Sequence, residues 1–432
     1  MITTKYVREH IEEIRESIKK RRSNYPIDEL LKLDEEWRKL KTSLQEMQAE
    51  RNRESVKIAE LKKKGKNADK KINGLAELKA KIEESEADLK SKEDRLEKLL
   101  WSIPNVIDKS VPEGDPPDAN KIIRKWGVPK KVSMGSHEEI LTKMGLLDIE
   151  RAAKTAGARF YFLKGDLALL EQSLLRYALD FLTSKGYTAV LPPFMLRKKY
   201  YRGVAPIATF EDALYAVGES KEAAERKGIE HVEDELYMIA TAEHALAAMH
   251  ADELFSGNQL PLKYCGISPC FRREAGAHGK DTKGIFRVHQ FNKVEQFVYC
   301  KEEDEQKYFD ELLSNSEQMF QALGIPYRLV LLCSGDTGHQ MTKTVDIEGY
   351  FPGQGDYREL ASCSSAGIWQ SMRLDIKYDH KADRKYVFML NNTGISAERM
   401  LVCIVENYAN DDGTITVPKP LVHYMGKSKI GE

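Results

Sequence analysis

The sequence predicts an α+β protein: an N-terminal antiparallel helical hairpin, or coiled-coil arm, followed by a domain built on an antiparallel β-sheet flanked by helices. Three observations predict it. Apolar residues in the first hundred positions fall on heptad seams. Just after residue 100 the charge density drops and prolines gather. Beyond that, short β-branched and aromatic runs arrive in neighbouring pairs, with long helical patterns set apart, rather than in regular βαβ alternation.

The arm comes first. Val7, Ile11, Ile14 and Ile18 repeat at helical spacing and suit one short amphipathic helix. Pro26 breaks the chain, and Asp28 can cap the next helix. Leu30, Leu33, Trp37, Leu40, Leu44, Met47, Ile58 and Leu61 form one seam, interrupted at Arg51 and Glu54. Leu75, Leu78, Ile82, Leu89, Leu96 and Leu99 form a second. Gly65 and Asn67 give the stretch between them turn chemistry. Two seams joined by a short turn fold back on each other, with arms of roughly 45–50 Å that would project from the rest of the chain. The turn is basic: Lys62, Lys63, Lys64, Lys66, Lys70 and Lys71 face only Asp69. Such a tip is either a solvated loop or a surface that tracks a nucleic-acid backbone. An ordinary dimerisation coil is a third use for the seam.

Residues 104–125, with Pro104, Pro112, Pro116 and Pro117, read as a linker. The expected division is an arm over 1–103, that linker, and a second domain over 126–432.

Composition narrows the function. The chain has 432 residues, with 67 Lys+Arg against 68 Asp+Glu, so a globally basic nucleic-acid binder is excluded while a local basic patch is not. No apolar run reaches membrane-spanning length, and the charged N-terminus is no secretory signal, so no membrane partner is expected. The six cysteines form no CxxC pair and read as reduced cytosolic thiols. No HExxH or paired-histidine spacing supports zinc, and none is expected. The phosphate-binding glycine loops GxxxxGK[ST] and GxGxxG are absent, as is the nucleophile motif GxSxG.

The informative stretch is CFRREAGAHGKDTKGIFRVHQFNKVEQFVY, residues 270–299. It reads strand, loop, strand. Arg272 and Glu274 alternate on one face of the first strand. Arg287, His289, Phe291, Lys293 and Glu295 alternate on one face of the second. Such a face is either an exposed salt-bridged hairpin or a surface that stacks a base, grips phosphates and holds an amine.

This segment resembles motif 2 of the class II aminoacyl-tRNA synthetases, and of the seryl-tRNA synthetases in particular. Residues 157–194 are similar to that family's motif 1, a dimer-interface helix followed by a strand and Pro192-Pro193. IATAEHAL (239–246) resembles its serine-binding TxE segment, and NNTGISAERMLVCIVENY (391–408) its motif 3. IPN at 103–105 and VPEG at 111–114 are similar to further landmarks. The set spans nearly the whole chain. GVAPIATFEDALY (203–215) looks more like the archaeal members.

The resemblance implies a class II catalytic domain over 126–432 that activates L-serine with ATP and loads it onto tRNA(Ser) in the cytoplasm. ATP and Mg2+ would be the cofactors, and a homodimer through motif 1 the assembly. Arg272, Glu359 and Arg399 would be catalytic. Arg272 would bridge the α-phosphate and the serine carboxylate, and Arg399 would grip the γ-phosphate side. Arg287, Phe291 and Glu274 would complete the ATP site, Phe291 by stacking on adenine and Glu274 by accepting from its amine. Glu359 and Ser362 would hold the metal. Glu295 and Thr241 would take the serine amine, with Glu243 and Thr393 near its hydroxyl. Thr241 and Glu243 by themselves also read as a helix N-cap with an acidic first turn. The lysine tip, with His278, Lys280 and Lys283 of the motif 2 loop, would contact tRNA. Ser365 and Met372, and much of 338–352, depart from the commoner family pattern. An amino-acid ligase that loads a carrier protein or metabolite is the alternative function.

Overall fold

The computed structural model describes residues 2–130, 134–206, 211–218, 236–274, 284–381 and 383–431. The chain forms two compact units, Met1–Lys19 with Ser23–Pro104, and Lys20–Arg22 with Asn105–Glu432.

The first unit is helical. The single helix expected at its start is two, α1 (Thr4–Glu9) and α2 (Ile11–Lys20), because His10 leaves helical geometry at φ −116°, ψ 27°. The hairpin is α3 (Ile27–Lys63) and α4 (Asp69–Ser102), of 37 and 34 residues. Each is therefore about 50–55 Å long, longer than expected. Asp28 does not cap α3. Pro26 occupies that position, and Asp28 lies in the first turn, bonded to Arg15 at 2.5 Å. Leu30, Leu33, Leu44 and Ile58 are buried on α3, and Ile82, Leu96 and Leu100 on α4, so Leu100 rather than Leu99 closes the seam most fully. Trp37 is only half-buried. Its indole Nε1 donates to Glu93 at 3.2 Å, and the Lys41 ammonium lies 4.4 Å from the ring centre.

The tip turns where expected. Gly65 takes φ +65°, and Asn67 Oδ1 accepts from the Asp69 amide at 2.8 Å. The six tip lysines are all exposed. Asp69 is not their sole counter-charge: Lys71 sits 2.7 Å from Glu54. The carboxylate that interrupts the seam thus ties the base of the turn.

The second unit is organised by an eight-stranded sheet. Its strands are β1 (Lys121–Trp126), β2 (Thr188–Val190), β3 (Leu262–Phe271), β4 (Gln290–Cys300), β5 (Tyr327–Leu331), β6 (Lys343–Phe351), β7 (Asp356–Gly367) and β8 (Phe388–Ser396). The order is β1-β5-β6-β7-β8-β4-β3-β2, antiparallel throughout except that β2 runs parallel to β3. The expected linker is thus corrected at its end. Residues 121–126 pair with β5 and belong to the sheet.

Three helices cover one face: α5 (Asp166–Ser184), α7 (Glu305–Ala322) and α8 (Ala397–Tyr408). Leu167, Leu170, Leu174, Ala178 and Leu182 make one buried stripe on α5. Residues 400–405 of α8 are buried all round, as a helix held between layers must be. Strand alternation then sorts β4. Val294, Val298 and Cys300 join the helix-side core, while Phe297 and Tyr299 join a smaller cluster with Tyr201, Leu246 and Tyr378 on the opposite face. Lys293 and Glu295 share that opposite face, away from these three long helices, and the site lies there. The short helix α6 (Ala242–Ala248) packs near it. No helix among the described residues is long and apolar enough to cross a membrane.

Candidate active site

Two adjoining pockets open on this face of the sheet. One is lined by Arg272, Glu274, Phe286, Arg287, Phe291, Lys293, Glu359 and Arg399, among others. The other is lined by Thr241, Glu243, Glu295, Asp346, Ser362, Asn391 and the loop from Asp336 to Met341. Arg272, Lys293, Glu359 and Thr393 belong to both.

Two β-bulges aim these side chains. Glu359 and Ser362 are three apart, so a regular strand would turn them to opposite faces. Between Ala361 and Glu359 the register against β6 slips by one, with Leu360 the extra residue. Leu360 drops into the core, and Glu359 and Ser362 both reach the second pocket. On β8 the extra residue is Gly394, between Thr393 and Ile395. A Cβ there would come 3.1 Å from the Val294 carbonyl oxygen. The slip lets Thr393 and Ser396 line the site while Ile395 is buried in the core.

The motif 2 residues are less strand-like than their spacing. Strand β3 ends at Phe271, and Arg272 to Glu274 follow it as irregular chain, with Glu274 at φ +48°. Arg287 and His289 precede β4. Both arginines and Glu274 still line the first pocket, where Arg287 lies 3.4 Å from Glu274. His289 does not. It stacks on Phe160 with ring centres 5.2 Å apart, and its Nδ1 lies 2.9 Å from the Arg272 carbonyl. His278, Lys280 and Lys283 lie outside the described residues.

Arg272 donates through Nε to the Ala240 carbonyl at 3.2 Å, and its guanidinium lies 5.2 Å from the Phe291 ring centre. Arg399, in the first turn of α8, lies 3.2 Å from the Glu359 carboxylate and 5.0 Å from the Phe286 ring centre. Arg399 holds the Glu359 carboxylate below its ordinary range. Three arginines converging on one pocket make a receptor for a polyanion.

The second pocket is lined mainly by carboxylates and hydroxyls. Thr241 caps α6, its Oγ1 accepting from the Glu243 amide, and the same hydroxyl donates to Glu295 at 3.3 Å. Glu295 is ion-paired to Lys293, and both are buried. Glu243 accepts from Gln370 Nε2 at 3.0 Å. Burial, then the nearby Glu295, pushes its carboxyl up to about 7. Asp346, on β6 opposite Ser362, has its acid raised by burial and by Glu359. Its Oδ1 is buried with no hydrogen-bond partner.

Sequence reasoning missed Lys293 as a partner of Glu295, and it missed Asp346, Gln370 and Phe286. Lys293 was visible on the predicted face. Asp346 and Gln370 come from segments with no motif of their own. Of the atypical positions, Ser365 and Met372 are buried and line neither pocket, whereas Gly338, Gln340, Met341 and Asp346 line the second.

Known proteins match at both levels. Residues 226–408 match the tRNA synthetase class II core domain (G, H, P, S and T), and residues 1–107 the seryl-tRNA synthetase N-terminal domain. The serine–tRNA ligase of Cenarchaeum symbiosum is 43% identical over 433 residues, covering 100% of both chains. The solved seryl-tRNA synthetase of Pyrococcus horikoshii, complexed with ATP, superposes with a TM-score of 0.88 at 38% identity. It covers 100% of this chain and 99% of its own. The cytoplasmic serine–tRNA ligase of Naegleria fowleri, in complex with AMP, gives 0.82 at 37% identity over 97% and 94%.

Proposed function

Because the chain belongs to the seryl-tRNA synthetase family, we propose how its residues divide the work of that reaction. The enzyme activates L-serine with ATP and transfers the seryl group to the 3′ end of tRNA(Ser), releasing pyrophosphate and then AMP. In the first step a serine carboxylate oxygen bonds to the α-phosphorus, and the bond from that phosphorus to the bridging oxygen of pyrophosphate breaks. The barrier is largely one of positioning and charge.

The observation that carries the assignment is the sharing of Arg272 by the two pockets. A cation at that junction suits the point where the serine carboxylate meets the α-phosphate. Phe291 and Glu274 suit the adenine, and Arg287 and Arg399 the outer phosphates. Thr241 and Glu295 take the serine ammonium, with Glu243 and Thr393 at its hydroxyl. No residue is needed as a nucleophile. Magnesium prefers oxygen ligands and would neutralise charge on the phosphate oxygens. Glu359 and Ser362 supply such oxygens, and the unpartnered Asp346 oxygen beside them fits the same cation.

Phe162, Leu169, Leu191 and Met195, in and around motif 1, are large exposed apolar residues. They support a homodimer through that region. The exposed lysine tip supports tRNA backbone contact by the arm. A cytoplasmic location suits the six free thiols; cell fractionation checks it.

The test is charging of total tRNA with serine, threonine, alanine or glycine in the presence of ATP and magnesium. Serine alone should be transferred. Alanine should fail strongly, because it strands the buried partners of the hydroxyl. Serine-dependent pyrophosphate exchange without any charging would overturn tRNA as the acceptor and favour the carrier-loading ligase.

The raised Glu243 carboxyl predicts a pH effect. A serine ammonium beside Glu295 offsets the like-charge repulsion that holds the Glu243 proton. Serine binding therefore releases a proton, and affinity rises with pH until about pH 7, then levels. The serine KM should fall between pH 6 and about 7, and Glu243→Gln should flatten that profile. An unchanged slope in the variant would remove Glu243 from the serine site.

A further inference from the structure

One wall of the second pocket comes from the loop between β5 and β6, through Asp336, Gly338, Gln340 and Met341. Among the described residues, no strand pairs with this wall over residues 337–341. Five consecutive carbonyls there instead accept from two side chains and one amide far away in sequence. Arg21 Nη1 donates to Thr337 O at 3.0 Å and Gly338 O at 3.3 Å, and its Nη2 to Met341 O at 2.5 Å. The Asn105 amide donates to His339 O at 2.9 Å, and its side chain to Gln340 O at 2.8 Å. Arg21 Nε ties the two together by donating to Asn105 O at 3.1 Å. The Asn105 side chain also reaches Ala366 O, at the end of β7, at 2.8 Å.

This is an unusual use of a guanidinium. No carboxylate is paired with Arg21 in these contacts, and burial pulls the group down to about 10, so it remains charged at neutral pH. Its planar fork spreads donors in fixed directions, which a lysine ammonium cannot copy. A buried carbonyl that loses its donor costs the desolvation of that group. The loop therefore has one well-satisfied path.

We infer that Arg21 and Asn105 are positioning residues for the amino-acid pocket, acting on substrate through the backbone of residues 337–341. This deepens the serine-pocket assignment above and rests on it. Neither residue touches the pocket itself. Their effect is to hold the wall at the distance that admits serine and refuses one more methyl group, a difference worth roughly 10–200-fold in a tight pocket. Residues 20–22 and 105 count with the catalytic unit rather than with the arm, as this role requires.

The experiment is ATP–pyrophosphate exchange with the full-length enzyme. The variants are Arg21→Met, which keeps length and removes every donor, Arg21→Lys and Asn105→Ser. The expected result is a serine KM raised ~10-fold or more with ATP KM nearly unchanged, and a serine-over-threonine preference reduced by a similar factor. Arg21→Lys should recover part of both. A merely structural role would lower kcat through loss of active sites and leave serine KM and selectivity alone, and that result overturns the proposal. Should Arg21→Met fail to fold, Asn105→Ser is read by the same criteria. Glu295→Gln, inside the pocket, is the control. If it raises serine KM while the Arg21 and Asn105 variants do not, the positioning role is wrong and the serine pocket stands. If none of them moves serine KM, the pocket assignment itself falls.

Discussion

Arg399→Ala is expected to reduce serine-dependent pyrophosphate exchange by ~10³-fold or more, the scale seen when a preorganised charge donor is removed from a transition state. The geometry argues for so large an effect. Arg399 stands in the first turn of α8, a helix buried against the sheet, so its backbone cannot shift to compensate. Its guanidinium faces Glu359 and lies over Phe286. Removing it takes away one of the three arginines that line the first pocket and also leaves Glu359 without its nearest counter-charge. An unpaired carboxylate would then repel the incoming phosphates. Arg399→Lys should restore only part of the rate, since a point charge does not reproduce a fork. The variant should elute from a sizing column with the wild type, as a dimer. Exchange at close to the wild-type rate would refute the role given to motif 3, and a monomer would refute the motif 1 interface.

The second large effect is expected at the tip of the arm. Replacing Lys62, Lys63, Lys64, Lys66, Lys70 and Lys71 by glutamine should weaken tRNA binding by ~10–10³-fold at moderate salt, because phosphate contacts release condensed counterions. Each lost contact should also lower the slope of log affinity against log salt by ~0.7–0.9. Lys71 is partly engaged with Glu54, so five lysines are more fully available than the sixth. Pyrophosphate exchange needs no tRNA and should be unchanged. Glutamine keeps the helices long and leaves the seam untouched, so a loss of binding reports charge rather than unfolding. If tRNA affinity and its salt slope stay at wild-type values, the tip is a solvated loop and the arm binds by another surface.

Much of this protein is local and therefore legible along the chain. The heptad seams announce the hairpin, because a buried stripe on a helix must recur every three or four residues. Gly65 and Asn67 mark its turn for equally local reasons of backbone freedom and short side-chain bonding. The break at His10 and the start of α3 at Ile27 were less legible. Helix ends are decided by caps and neighbours as much as by period. In the site, period-two alternation correctly grouped Phe291, Lys293 and Glu295. It failed for His289, which lies before the strand begins and turns away to stack on Phe160. A run of alternating residues does not state where pairing starts.

Residue order along the chain is enough to specify the set of elements and the chemical types that meet: a two-helix arm with a basic tip, an antiparallel sheet, and arginines and carboxylates on or beside its strands. Which face several of them reach is settled by packing in three dimensions. The bulges at Leu360 and Gly394 arise where two strands fail to match residue for residue, a property of the pair that neither strand states alone. The pairing of Glu243 with Gln370, and the hold of Arg21 and Asn105 on a loop more than two hundred residues downstream, are likewise non-local. A hydrogen bond depends on distance in space and carries no trace in spacing. The residues that shape the pocket wall therefore became visible only once the chain was folded.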